Sequence, residues 1–147
     1  MDPLGTGLAV VGITGAMGFT SIGVAKAIGS GADLIRAGEL HELSLKTLLP
    51  LVLGSALIIY ALVPSVMICL ALNGSYSLIQ GVVHMGVGLL VGVTSFASGY
   101  AIGKVGSAGV AVMAKEELFF VWMVIAMMAE FIAILGFVVA MMFISSV

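Results

Sequence analysis

The chain has 147 residues, of which 62% are hydrophobic and only 8% charged, with a formal net charge of −2. Soluble domains carry roughly 25% charged residues, so a water-soluble fold of this size has too little polar surface to cover itself, and a lipid bilayer is the solvent that removes the difficulty. The five Lys and Arg form no basic patch with interleaved aromatics, Cys69 is the single cysteine, and no His, Cys and carboxylate group has metal-ligand spacing, which excludes a nucleic-acid surface, a disulfide scaffold and a bound metal.

Four apolar runs follow along the chain: Leu4 to Ala25, Leu48 to Leu72, Gly81 to Val105 and Leu118 to Ile144. Each exceeds the ~20 residues needed to cross ~30 Å of hydrocarbon. They predict an all-α integral membrane protein, four transmembrane helices arranged as two tandem helical hairpins. The first hairpin takes residues 1–72, with spans at about 4–29 and 45–72. The second takes residues 78–147, with spans at about 79–106 and 118–145. The start, Met-Asp-Pro, lacks the positive flank of a cleaved signal peptide.

The first run is rich in glycine and ends on Lys26. The second has only Gly54, and Pro64 within it removes a backbone bond and is expected to kink the helix. Cys69 reads as a small packed hydrophobe. The third run is glycine-rich again, with His84 near its outer end, read as an interfacial side chain. The fourth has only Gly136 and is the one with a charge in its middle, Glu130.

All Lys and Arg (Lys26, Arg36, Lys46, Lys104 and Lys115) lie in or beside the first and third loops. The positive-inside rule makes the 26–47 and 104–117 loops cytoplasmic and puts both termini outside. Lys26 and Lys104 suit helix C-termini, and their stems allow snorkelling. The loop charges, among them Asp33, Glu39, His41, Glu42, Glu116 and Glu117, read first as solvated.

At about 100° per residue, Gly81, Gly88, Gly92, Gly99, Gly103 and Gly106 share one narrow face of helix three, and Gly5, Ala9, Gly12, Ala16, Gly23 and Ala27 share one of helix one. A displacement of 76 residues carries Gly5, Gly12 and Gly23 onto Gly81, Gly88 and Gly99. Such stripes let backbones approach closely. Ordinary packing inside one monomer is one reading. The stripe runs the length of the helix, twice, which favours many copies side by side. In that reading helices one and three form a tight inner ring, with Gly12, Gly23, Gly88, Gly92, Gly99 and Gly103 as packing positions.

Glu130 lies between the uninterrupted apolar stretches Leu118–Ala129 and Phe131–Ile144. A charged carboxylate at the bilayer centre costs roughly 2.5–3.5 kcal/mol on insertion scales. Such a side chain crosses lipid as the neutral acid and gives up its proton where it meets water or a cation, which is what an ion carrier requires. Aligning helix two on helix four puts Ser55 in the position of the carboxylate, so the repeat carries one carboxylate per four helices. Tyr60, about one turn from Ser55, is placed to donate a hydrogen bond to Glu130 from the facing helix. Met123, Met127 and Met128 give it an apolar wall.

The segment AEFIAILGFVVA (Ala129 to Ala140) resembles the carboxylate helix of the membrane rotor proteolipids of V-type and A-type rotary ATPases. GYAIGKVGSAGVAVMAK (Gly99 to Lys115) and IGVAKAIG (Ile22 to Gly29) resemble the matching parts of the bacterial and archaeal members. The resemblance covers nearly the whole chain and implies a non-catalytic subunit with no cofactor beyond the transported ion. It implies a ring of identical subunits in lipid, turning against a stator membrane subunit whose buried Arg ionises each Glu130 in turn. The cytoplasmic loops would meet central stalk subunits, in a prokaryotic plasma membrane.

Sodium-carrying members supply a Thr and a Gln shortly before the helix-two Tyr and a Gln just before the GKV of helix three. Here those positions are Ala56, Leu57 and Ile102. A hard cation needs several oxygens, so the expected ion is H+, with Na+ the alternative. A small four-helix cation or drug antiporter is the competing class. Such transporters keep their carboxylate in the first helix and need an aromatic cavity. A passive pore would need more polar lining than one glutamate.

Overall fold

A computed structural model describes residues 2–36, 48–72, 75–113 and 116–147. They form four helices: α1 (Pro3–Arg36), α2 (Leu49–Ala71), α3 (Leu78–Met113) and α4 (Glu116–Ile144). All four are long and apolar enough to cross a membrane. The expected positions of Glu39, His41, Glu42, Lys46 and Lys115 lie outside the described residues.

Local chemistry starts the two glycine-rich helices. Asp2 accepts the backbone N–H of Leu4 through Oδ1 at 3.1 Å, and Pro3 opens α1 where its missing N–H costs nothing. Ser77 and Gln80 form a reciprocal cap on α3: the Ser77 N–H donates to Gln80 Oε1 at 3.0 Å, and the Gln80 N–H to Ser77 Oγ at 3.3 Å. α1 and α3 have 34 and 36 residues. At 1.5 Å per residue they reach about 50 Å, so both project beyond the hydrocarbon on the basic side. Ser107 Oγ donates to Asp33 Oδ2 at 2.8 Å and ties the two projections together.

α1 and α3 make the most extensive contact in the molecule. Their glycine faces meet each other within one chain, in parallel, in the register that the 76-residue displacement relates: Gly81 lies on the backbone of Gly5, Gly88 on that of Gly12, and Gly99 on that of Gly23. A Cβ at Gly12 would sit 2.5 Å from the His84 carbonyl oxygen, and one at Gly23 2.8 Å from that of Ser95. Gly92 faces the backbone of Gly15 and Ala16, and Gly103 that of Lys26. The same stripe that suggests packing between copies is thus occupied by packing within a copy. Gly7, Gly18, Gly29 and Gly86 stand apart, with open space where a Cβ would go.

α2 and α4 flank this pair. α2 leans on α1, where Gly54 admits the Ala27 side chain, and it also touches α3 and α4. α4 runs antiparallel along α3. Gly136 receives the Thr94 side chain, the Trp122 indole lies on Gly109, and Trp122 Nε1 donates to the Val105 carbonyl at 2.7 Å. α2 stays helical through Pro64, which is buried.

The interior divides into two clusters. One joins Val24, Ala27, Leu53, Leu57, Ile102, Ala126, Ala129 and Ala133, and the other Ala9, Ala61, Ile68, Tyr76, Val87, Val91 and Ala140. Alanine on α4 lets the larger Leu57 and Ile102 fill the space between helices at close spacing. The opposite face of α4 carries Phe120, Val121, Met127, Met128, Phe131, Leu135 and Met142, each at least half exposed. Water would penalise that face, and lipid does not.

Two sequence expectations change here. Cys69 is exposed on the outer face of α2 instead of packed inside. His84 is buried, at 2% exposure, instead of sitting at the interface. The turn before α3 folds Tyr76 over it, and the Tyr76 hydroxyl is hydrogen-bonded to His84 Nδ1.

Candidate ion-carrying site

Glu130 sits midway along α4, next to the buried stripe Ala126, Ala129 and Ala133. The stripe faces α2 and α3, so Glu130 stands at its edge, half-buried between the core and the lipid side. The Gly136–Thr94 and Trp122–Val105 contacts fix its depth: Glu130 lies across from the stretch of α3 between Ser98 and Ile102.

The Tyr60 hydroxyl of α2 donates to Glu130 Oε1 at 3.0 Å. The Tyr60 ring is held against Phe137 of α4, with centroids 5.6 Å apart at 38°. Phe137 is seven residues beyond Glu130, two turns along the same face. That spacing is the sequence signal that would have found it. The carboxyl and its donor are thus positioned by a second α2–α4 contact, so the hydrogen bond does not depend on a free rotor.

Around this pair the lining is apolar. Leu57 and Ile102 are fully buried in the cluster that holds Ala126, Ala129 and Ala133. Ala56 is partly buried on α2. Ser55 is exposed, and its hydroxyl donates to the Val52 carbonyl of its own helix at 2.8 Å. In this geometry Ser55 does not join Tyr60 at Glu130. The alignment of helix two on helix four does not bring it there, because α2 turns its Leu53–Leu57–Ala61 edge inward instead. Among the described residues no group of three His, Cys, Asp or Glu side chains could hold a metal ion.

A second polar feature lies on the outer face of the α1–α3 pair. The Lys26 and Lys104 ammonium groups stand 6.0 and 5.8 Å from the centroid of the Tyr100 ring. Tyr100 is exposed, so the contacts are of the modest cation–π kind.

Residues 85–143, most of α3 and α4, match the family model for the C subunit of ATP synthase. The chain is similar over most of its length to the 16 kDa proteolipids of V-type proton ATPases. The one from Ovis aries is 35% identical over 136 residues, 90% of this chain and 88% of that one. Its counterpart in Nephrops norvegicus is 38% identical, covering 89% and 86%. The Homo sapiens protein is 35% identical, covering 90% and 88%. Identity at this level across about nine-tenths of the chain, on a four-helix membrane fold, means that the chain belongs to the V-type ATPase 16 kDa proteolipid family.

Proposed function

We propose that this chain is the proton-carrying subunit of a rotor ring, and that Glu130 is protonated and deprotonated once per passage past the stator. As a member of its family the chain is a rotor proteolipid, a non-catalytic membrane component of a V-type ATPase. The observation that carries the finer reading is the Tyr60–Glu130 hydrogen bond within an apolar wall. A phenol can donate to either oxygen of a carboxyl group, and the remaining oxygen is free to carry the proton. Such a site is neutral when loaded and crosses lipid at low cost. On meeting water or a fixed cation it becomes a carboxylate, now supported by the phenol. The membrane potential supplies ~2.3 kcal/mol per charge per 100 mV, the work available per discharge.

Identical copies would pack side by side into the ring. A stator membrane subunit with a buried Arg would discharge each Glu130, and the 26–47 and 104–117 loops would meet the central stalk. The termini would lie outside a prokaryotic plasma membrane. The proton assignment is supported by the apolar side chains of Leu57 and Ile102, which give a sodium ion no oxygen. The named relatives are proteolipids of V-type proton ATPases, which agrees with it.

A hydrophobic carbodiimide tests the reading. It should label Glu130 in the assembled enzyme and stop ATP-driven proton transport, and Glu130→Gln should do the same. Sodium protection of Glu130 at neutral pH would overturn the proton assignment in favour of a sodium ring. A stable dimer that binds aromatic cations, in place of a ring far above 15 kDa in detergent, would overturn the rotor reading in favour of an antiporter.

A further inference from the structure

Hydroxyls buried in a membrane helix usually donate to a carbonyl one turn back on their own backbone. In this chain Ser30 donates to Ala27 O, Ser65 to Ala61 O and Thr94 to Leu90 O, all between 2.6 and 2.9 Å. Three hydroxyls depart from that habit. Thr20, Ser95 and Ser98 are 2%, 0% and 0% exposed, and their oxygens have no hydrogen-bond partner among the described residues.

Helix register places the three within about one turn of each other. Ala16 and Gly23 of α1 lie on α3 at Gly92 and at Ser95–Phe96, so Thr20, between them, is level with Ser95. Ser95 and Ser98 are three residues apart, neighbours on one helical face. Thr94, which reaches Gly136, and Ile102, which packs with Ala129 and Ala133, lie one turn before and one turn after Ser98 on the side of α3 that meets α4. The cluster therefore spans from the α1–α3 seam towards α4, at the depth of Glu130.

We infer that Thr20, Ser95 and Ser98 form an internal water site. An unsatisfied hydroxyl in an apolar interior is costly, and three at neighbouring levels of one seam add to that cost. A water molecule with two to four polar partners removes it. A cation is a poorer occupant. The three oxygens are neutral, and Lys26 and Lys104 each lie six residues further along their helices, about 9 Å of rise away. The inference rests on helix packing and does not depend on Glu130 carrying a proton.

The test compares wild type with the Thr20→Val, Ser95→Ala, Ser98→Ala triple variant, each change nearly isosteric, in the intact detergent-purified protein. Infrared spectra are taken in ordinary and 18O-labelled water. The expected result is a sharp O–H band that shifts with the isotope in wild type and is lost in the triple variant. The triple variant should also melt several degrees lower, because bridged hydrogen bonds are gone. Identical spectra would overturn the site, as would a higher melting temperature, the signature of removing three dry, unpaired hydroxyls. Should the triple variant fail to fold, Ser98→Ala alone serves, with a weakened band expected and an unchanged one overturning the site. In Glu130→Gln the band should persist. If the carrier reading fails, transport in that variant survives while the band stays, so the two failures are distinguishable.

Discussion

The α1–α3 pair and the α2–α4 pair solve opposite problems in the same bilayer. Glycine and alanine bring α1 and α3 into backbone contact along most of their length, and large side chains are correspondingly few in that seam. α2 and α4 have one glycine each, touch less, and present large apolar side chains outward. The difference shows where function can sit. A seam in which backbones touch has no slack for a side chain that must change its partner. The looser pair leaves Glu130 half-buried with a donor 3.0 Å away and an edge open to a neighbour.

The contrast can be broken most severely at Glu130. Glu130→Gln should abolish coupled transport while leaving thermal stability near wild type, since the amide still accepts from Tyr60; transport assays beside melting curves check both parts. Next comes the seam. Gly88→Leu drives a side chain into the Gly12 backbone, which cannot yield as a flexible side chain would, and should destabilise the fold by about 3 kcal/mol. Gly86→Ala, two residues away and facing open space, should leave stability unchanged or raise it by up to about 1 kcal/mol. A gain in Gly88→Leu to match that in Gly86→Ala would show that helix propensity, and not backbone approach, decides α3.

Two smaller effects sharpen the α2–α4 side. Tyr60→Phe keeps the ring against Phe137 and removes the donor. It should lower transport roughly fivefold, the factor equivalent to about 1 kcal/mol, whereas Ser55→Ala should change nothing measurable. Trp122→Phe removes the bond to the Val105 carbonyl and should cost about 1 kcal/mol of stability without touching transport.

Much of this molecule was legible in one dimension. Hydropathy alone requires four crossing helices, because lipid leaves a backbone no other partner than itself. Glu130 is conspicuous for the same reason: one ionisable group in a long apolar run has no structural excuse. The pairing of Gly5, Gly12 and Gly23 with Gly81, Gly88 and Gly99 is implicit in their spacing, since a parallel helix pair without Cβ atoms slides into backbone contact.

What spacing could not decide is which surfaces meet. The stripes were compatible with contacts between copies, and the tertiary structure turns them on each other within one chain. Helix two carried both Ser55 and Tyr60 near the right depth. Only the rotation of α2, set by burying Leu53, Leu57 and Ala61, puts Tyr60 on Glu130 and leaves Ser55 bonded to its own backbone. His84 is covered by Tyr76 from the turn before its own helix, and the hydroxyls of Thr20, Ser95 and Ser98 are buried where α1 and α3 pack together. Periodicity reports a residue's angle around its own helix, whereas burial and hydrogen bonding depend on what the other helices place opposite it.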